Sequence, residues 1–173
     1  MSREIMRAIF KGDLEALDSF IAQGLDPREI TEVERWNLLH RALVPVADSQ
    51  RPEPRIIQRL IEFGVDVDGT DSYGNTPLHY ACRTNSHEVV RLLLDAGADV
   101  NHFNSDGIAP LRQALLAVPH SDEETGHLNI TLELLLKRGA DLDAKAPDGV
   151  SDREYIELIA HGERAYLLDL FNR

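Results

Sequence analysis

Seven histidines and one cysteine are the side chains through which this chain can do metal or nucleophilic chemistry. His120 and His127 enclose Asp122, Glu123 and Glu124, the one metal-like grouping in the sequence. Zinc sites draw on thiolates or on ligands in a fixed register, and this segment has neither, so it reads as a solvated acidic loop. His40 and His79 fall at matching places in Leu38-Leu39-His40 and Pro77-Leu78-His79, which points to a repeated structural role. Cys82 takes an alanine-like place on an apolar helical face, where a thiol is buried and inert. The glycines follow neither G-x-G-x-x-G nor a phosphate-loop spacing, and no Ser/His/Asp order stands out. The expectation is therefore a non-enzyme: no catalytic residues, no metal site, no cofactor.

The elements that position these residues are short. In residues 74–101, Pro77 suits the first turn of a helix, where its missing N–H costs nothing, and Thr76 before it can cap. Leu78, Ala81 and Cys82 then share one face. Asn85 tolerates the left-handed backbone of a tight turn, and Gly12 holds the matching place in an earlier segment. Val89, Val90, Leu93 and Leu94 form the apolar stripe of a second helix, which Gly97 ends, as Gly24, Gly64 and Gly139 end theirs. Such a pair buries too little to stand alone and must stack on copies of itself. Copies are present. Asn75-Thr76-Pro77-Leu78-His79 returns as Ile108-Ala109-Pro110-Leu111-Arg112 after 33 residues, and Gly97-Ala98-Asp99-Val100-Asn101 returns as Gly139-Ala140-Asp141-Leu142-Asp143 after 42. Backward, Leu38-Leu39-His40 precedes its counterpart by 39 residues. One 33-residue unit with insertions of six and nine residues reconciles these offsets. The insertions lie around 44–54 and 117–127, and Pro45, Pro52, Pro54 and Pro119 predict stiffened loops there rather than longer helices.

Thr76-Pro77-Leu78-His79, the run Val89 to Leu94, Gly97-Ala98-Asp99-Val100-Asn101 and Asp106-Gly107 together resemble the ankyrin repeat. The resemblance extends over essentially the whole chain and implies an all-α solenoid of five helix-turn-helix units, linked by β-hairpin-like loops and capped at both ends. The units are approximately 1–30, 31–69, 70–103, 104–146 and 147–173, forming a single domain. It also implies that His40 and His79 hydrogen-bond the adjoining turn. Departures from the pattern are Arg35 where glycine is usual, Asn37-Leu38 in place of Thr-Pro, and Arg112 in place of histidine.

Composition bounds the function. With 173 residues, 43% apolar and 28% charged, the chain has room for one ordinary folded domain. No apolar run approaches a membrane span, and the first residues read as an amphipathic helix rather than a leader. A lone cysteine favours a cytoplasmic protein. The net charge is −12, and residues 60–148 carry 15 acids against 6 basic residues. Such a field repels nucleic acid and anionic lipid and attracts basic protein surfaces. A protein-binding face is what remains. In an ankyrin stack, loop tips and first helices form a concave surface. The residues expected on it are Trp36 and Arg41; Tyr73, Asn75, Tyr80 and Arg83; Phe103, Asp106, Ile108 and Gln113; and Asp148, flanked by Lys145 and Val150. Asp66, Asp68, Asp71, Asp99, Asp106, Asp141, Asp143 and Asp148 are expected to make the face acidic while bracing turns. Length, insertions and acidity resemble stand-alone bacterial ankyrin-type immunity proteins. That resemblance implies a monomeric inhibitor of one basic toxin or effector. The alternative is an adaptor that docks a partner without inhibiting it.

Overall fold

The computed structural model describes residues 3–44, 52–117, 122–145, 149–160 and 166–171. Within them the chain forms α1 (Arg3–Lys11), α2 (Leu14–Ala22), α3 (Leu38–Leu43), α4 (Pro54–Glu62), α5 (Pro77–Arg83), α6 (His87–Asp95), α7 (Pro110–Leu116), α8 (Asp122–Lys137), α9 (Asp152–Ile159) and α10 (Tyr166–Phe171). Each odd-numbered helix packs on the even-numbered one after it. The pairs stack in register, α1 on α3 on α5 on α7 on α9 in one row and α2 on α4 on α6 on α8 in the other. This is the all-α solenoid expected from the repeat.

Local chemistry sets the helix ends. Prolines open α4, α5 and α7, where the fixed φ is already helical. Asp13 caps α2 by accepting from the Ala16 N–H at 3.0 Å. At the other ends, the chain leaves α2, α4, α6 and α8 through one device: a glycine at positive φ (Gly24, Gly64, Gly97, Gly139). The next residue's N–H turns back to an unpaired carbonyl, as Ala98 does to Leu93 at 3.0 Å. Tight turns inside two pairs use Gly12 and Asn85 at φ 67° and 49°. Leu17, Leu39, Ile57, Leu78, Leu93, Leu111 and Leu132 are fully buried and run as one core along the stack. Each stabilises the stack by roughly 2 kcal/mol of removed apolar surface.

Between pairs, the chain makes short fingers, each closed by a backbone hydrogen bond across its base: Thr31 N–H to Trp36 C=O, Asp71 N–H to Asn75 C=O, Asn104 N–H to Ile108 C=O. Neighbouring fingers are tied together by Ser72 N–H to Glu34 C=O and Ser105 N–H to Tyr73 C=O, both at 2.9 Å. An isolated antiparallel bridge pairs Lys145 with Ser151.

Of the two insertions, the second differs from the expectation of a stiff loop. Residues 45–51 and 118–121 lie outside the described residues. Pro54 belongs to helix α4, whose cap is Glu53. In the second insertion the helix begins at Asp122, so residues 122–127 lengthen α8 to 16 residues. No proline follows Pro119 until well past α8, so helical hydrogen bonding continues without interruption, and a single glycine, Gly126, costs a helix only about 1 kcal/mol.

Candidate protein-interaction face

Two of the expected surface residues are buried, and they build the site from behind. Asn75 is 7% exposed. Its side chain donates to Asp71 at 3.2 Å and accepts from Asn104 Nδ2 at 2.8 Å, joining one finger to the next. Tyr80 is 8% exposed. Its ring meets those of Trp36 and His40 edge-on, with centroids 6.3 and 5.6 Å apart, and its hydroxyl donates to Asp71 Oδ2 at 2.7 Å. The repeat spacing puts both toward solvent; cross-unit packing that spacing alone does not reveal encloses them.

Asp71, which the sequence offers only as one acid among many, is the hub of this arrangement. It is buried, and besides the Tyr80 hydroxyl it accepts the backbone N–H groups of Tyr73 and Asn75, both at 2.8 Å. Burial works against its charge, but the hydrogen bonds from Tyr80, Asn75 and Tyr73 outweigh it and hold the carboxyl below the usual carboxylate range. Burial, and then the bond to Asp71, pushes the Tyr80 hydroxyl up to about 12. Asn104, 33 residues on, braces its own finger in the same way through Asp106 and Ile108 N–H. That shared register is the signal by which Asp71 is recognisable in the sequence.

On this support stands a cluster from two adjacent units. The Arg41 guanidinium lies over the Trp36 ring at 5.4 Å, and that of Arg83 over Tyr80 at 4.6 Å. Trp36 and Arg41 are half-buried and Arg83 is exposed. Tyr73 and Phe103 project into solvent, 68% and 40% exposed, stacking on none of these rings. Asp106 is exposed, Ile108 and Gln113 are half-buried, and Asp148 lies outside the described residues.

The histidines of the repeat sit beneath. His40 Nε2 faces Asn75 C=O at 3.0 Å and His79 Nε2 faces Ile108 C=O at 2.9 Å, each reaching the next finger. Arg112 substitutes for the third histidine: its Nη2 donates to Val150 C=O at 3.2 Å, the same place in the following finger, and its Nε donates to Asp152.

Apart from Asp71, most of the expected acids lie in the turns rather than in the aromatic cluster. Asp66, Asp68, Asp99, Asp141 and Asp143 occupy the turns after the second helices. There Asp68 accepts the Asp99 N–H at 2.8 Å and Asn101 accepts the Asp141 N–H at 2.8 Å. They brace turns, as expected. The aromatic cluster carries Arg41 and Arg83 together with the buried Asp71 carboxylate behind Tyr80. Elsewhere, burial pushes the Cys82 thiol up, away from reactivity. The ring of His127 lies 4.8 Å from that of His87, while His120 falls outside the described residues. No group of three or more potential metal ligands occurs among the described residues. No described helix is long and apolar enough to cross a membrane.

The model of the ankyrin-repeat family, three copies, matches residues 5–104 and 46–146. Similar proteins include Ankyrin repeat protein nuc-2 of Neurospora crassa, 29% identical over 172 residues, covering 84% of this chain and 16% of that protein. NF-kappa-B inhibitor zeta of Homo sapiens is 29% identical over 180 residues, covering 90% of this chain and 24% of that protein. Ankyrin repeat, SAM and basic leucine zipper domain-containing protein 1 of Gorilla gorilla gorilla is 34% identical over 127 residues, covering 67% and 25%. The chain thus spans a quarter or less of the length of these relatives. With the helix pairs, the fingers and the turn glycines in the family's register along most of its length, the chain belongs to the ankyrin-repeat family, a fold of protein–protein interaction.

Proposed function

We propose that this protein is a non-catalytic inhibitor that binds one protein partner through the face built around Trp36, Arg41 and Arg83, and neutralises it by occlusion, as an immunity protein neutralises a cognate toxin or effector. The observation that carries the reading is the cluster itself: half-buried and exposed aromatic and arginine side chains, the residue types that anchor interfaces, held in place by a hydrogen-bonded support. The net charge of −12 supports a partner that is basic overall, since complementary fields raise association rates and reject unlike surfaces. One relative carries the word inhibitor in its name. A single buried cysteine supports action in the cytoplasm.

The test is affinity capture from the source cells at low and high salt, followed by an activity assay on the captured protein. The expected result is one stoichiometric basic partner, harmful when expressed alone and silent in the complex. A partner that keeps full activity when bound overturns inhibition and makes the protein an adaptor. Tyr73→Ala is the cleanest probe of the face, because that ring is 68% exposed. Binding should weaken roughly thirtyfold if Tyr73 is an anchor worth ~2 kcal/mol, with stability unchanged within about 0.5 kcal/mol.

A further inference from the structure

Most arginines with described interactions are paired with acids: Arg28 with Asp26, Arg59 with Asp18 and Glu62, Arg112 with Asp152, Arg138 with Asp95, Arg153 with Asp143. Arg41 and Arg83 are different. Among the described residues, neither makes an ion pair; each lies over an aromatic ring instead. Stacking uses the face of a guanidinium and leaves its edge, with its fork of N–H donors, free for a carboxylate. The Arg41 Nε is removed from water and has no hydrogen-bond partner, an unpaired buried donor that carries a free-energy cost. The carboxylate of this network, Asp71, is already committed to Tyr80, Asn75 and Tyr73.

We propose that the Trp36–Arg41–Tyr80–Arg83 cluster is the seat of a carboxylate, a glutamate or aspartate side chain presented by the protein partner, with the rings of Trp36 and Tyr73 contacting the apolar part of the same segment. The proposal rests on the protein-binding reading above and names the chemistry of its anchor. It assigns two roles to charge. The net −12 of the whole chain favours a partner that is basic overall. The two local cations then select, on that partner, the surface that carries an acid among its bases. A polyanion such as nucleic acid satisfies the local demand but meets the repulsion of the whole molecule.

Trp36 is the only tryptophan of the chain, so its indole N–H gives a single NMR resonance reporting from inside the cluster. The ¹⁵N-labelled 173-residue chain is titrated with a blocked peptide of glycine, tyrosine and glutamate, with the same peptide carrying glutamine or lysine for glutamate, and with a thymidine oligonucleotide. The expected result is a saturable shift of the Trp36 resonance with the glutamate peptide alone. The apparent affinity should fall about tenfold or more in Arg41→Gln, in Arg83→Gln and in the double variant. The rest of the spectrum should stay native, and Arg91→Gln on α6 should bind as the unaltered protein does. A lysine or glutamine peptide that shifts the resonance equally overturns the proposal, as does an oligonucleotide that binds where the glutamate peptide does not. So does a glutamate response undiminished in the double variant, or no saturable response. Because no step uses the partner, a failure here leaves inhibition to stand or fall on the partner's own activity.

Discussion

His79 shows how much one side chain of the repeat commits to. The Thr76 N–H donates to its Nδ1 at 3.1 Å, so that nitrogen carries a lone pair, and the Nε2–H donates to Ile108 C=O. A second ring proton would turn the Thr76 N–H away, and burial already disfavours charge. Burial, set against the bond to Ile108, brings the His79 pKa from 6.5 down to about 4. The unfolded chain therefore takes up a proton that the folded one refuses. Stability from this group is complete above pH 6.5 and is lost as pH falls from there through about 4, a loss of roughly 3 kcal/mol at the acid end. His40, lowered mainly by burial, adds to the fall with the same sign. Asp71 acts lower: its depressed carboxyl loses stability only as pH drops below the ordinary 3.8. Urea unfolding between about pH 7 and pH 4.5 should show this decline. His79→Gln, less stable at neutrality because its contacts are poorer, should show a visibly flatter profile over the same window. An equal slope in the variant would assign the pH dependence to other groups.

At the scale of elements, the fingers carry both the fold's regularity and its main local exception. Gly74, Gly107 and Gly149 hold equivalent finger positions at φ 75°, 71° and 80°, and in the first finger that place is taken by Arg35 at φ 57°. A side chain in the left-handed region costs about 1–2 kcal/mol that glycine does not incur, part of it returned by the unfolded-state entropy glycine adds. Arg35→Gly should therefore stabilise the protein by about 0.5–1 kcal/mol in chemical denaturation. The reverse exchange, Gly74→Ala, should cost more than about 1 kcal/mol, because a Cβ there would sit 2.9 Å from the Ser105 N. Glycines, prolines and caps act within a few residues, and that is why the sequence discloses the helix pairs, the left-handed Asn85 and the departure at Arg35. The length of α8 is not legible in the same way, because Pro119 marks a break without saying where the next helix begins. The burial of Asn75 and Tyr80 escapes the sequence for another reason. It depends on Asn104 and Trp36, contacts between units 29 and 44 residues apart that no local period encodes.

For the whole molecule, the decisive property is that, among the described residues, the main helix contacts run from each pair to the next, with α7 on α9 joining the last unit. Arg112 lies across that link: a side chain 10% exposed, paired with Asp152, which is 8% exposed, bonded to Val150 C=O, and stacked on the Tyr155 ring at 4.2 Å. In place of a neutral histidine reaching one carbonyl, the last interface thus carries a buried cation that serves a carbonyl, a carboxylate and a ring at once. Removing one member of such a pair costs about 3–5 kcal/mol, because the other charge stays buried. In a solenoid that cost falls on the interface where it arises. Arg112→Met keeps the volume and deletes the charge, so amide hydrogen exchange should lose roughly a hundredfold or more of its protection in α9, with α3 to α6 close to their original rates. Arg112→Met combined with Asp152→Asn should recover part of the loss, since no uncompensated charge is then buried. Equal loss from α3 to α9 would mean that the stack opens as a single cooperative unit, and that Arg112 supports the whole solenoid rather than its last interface.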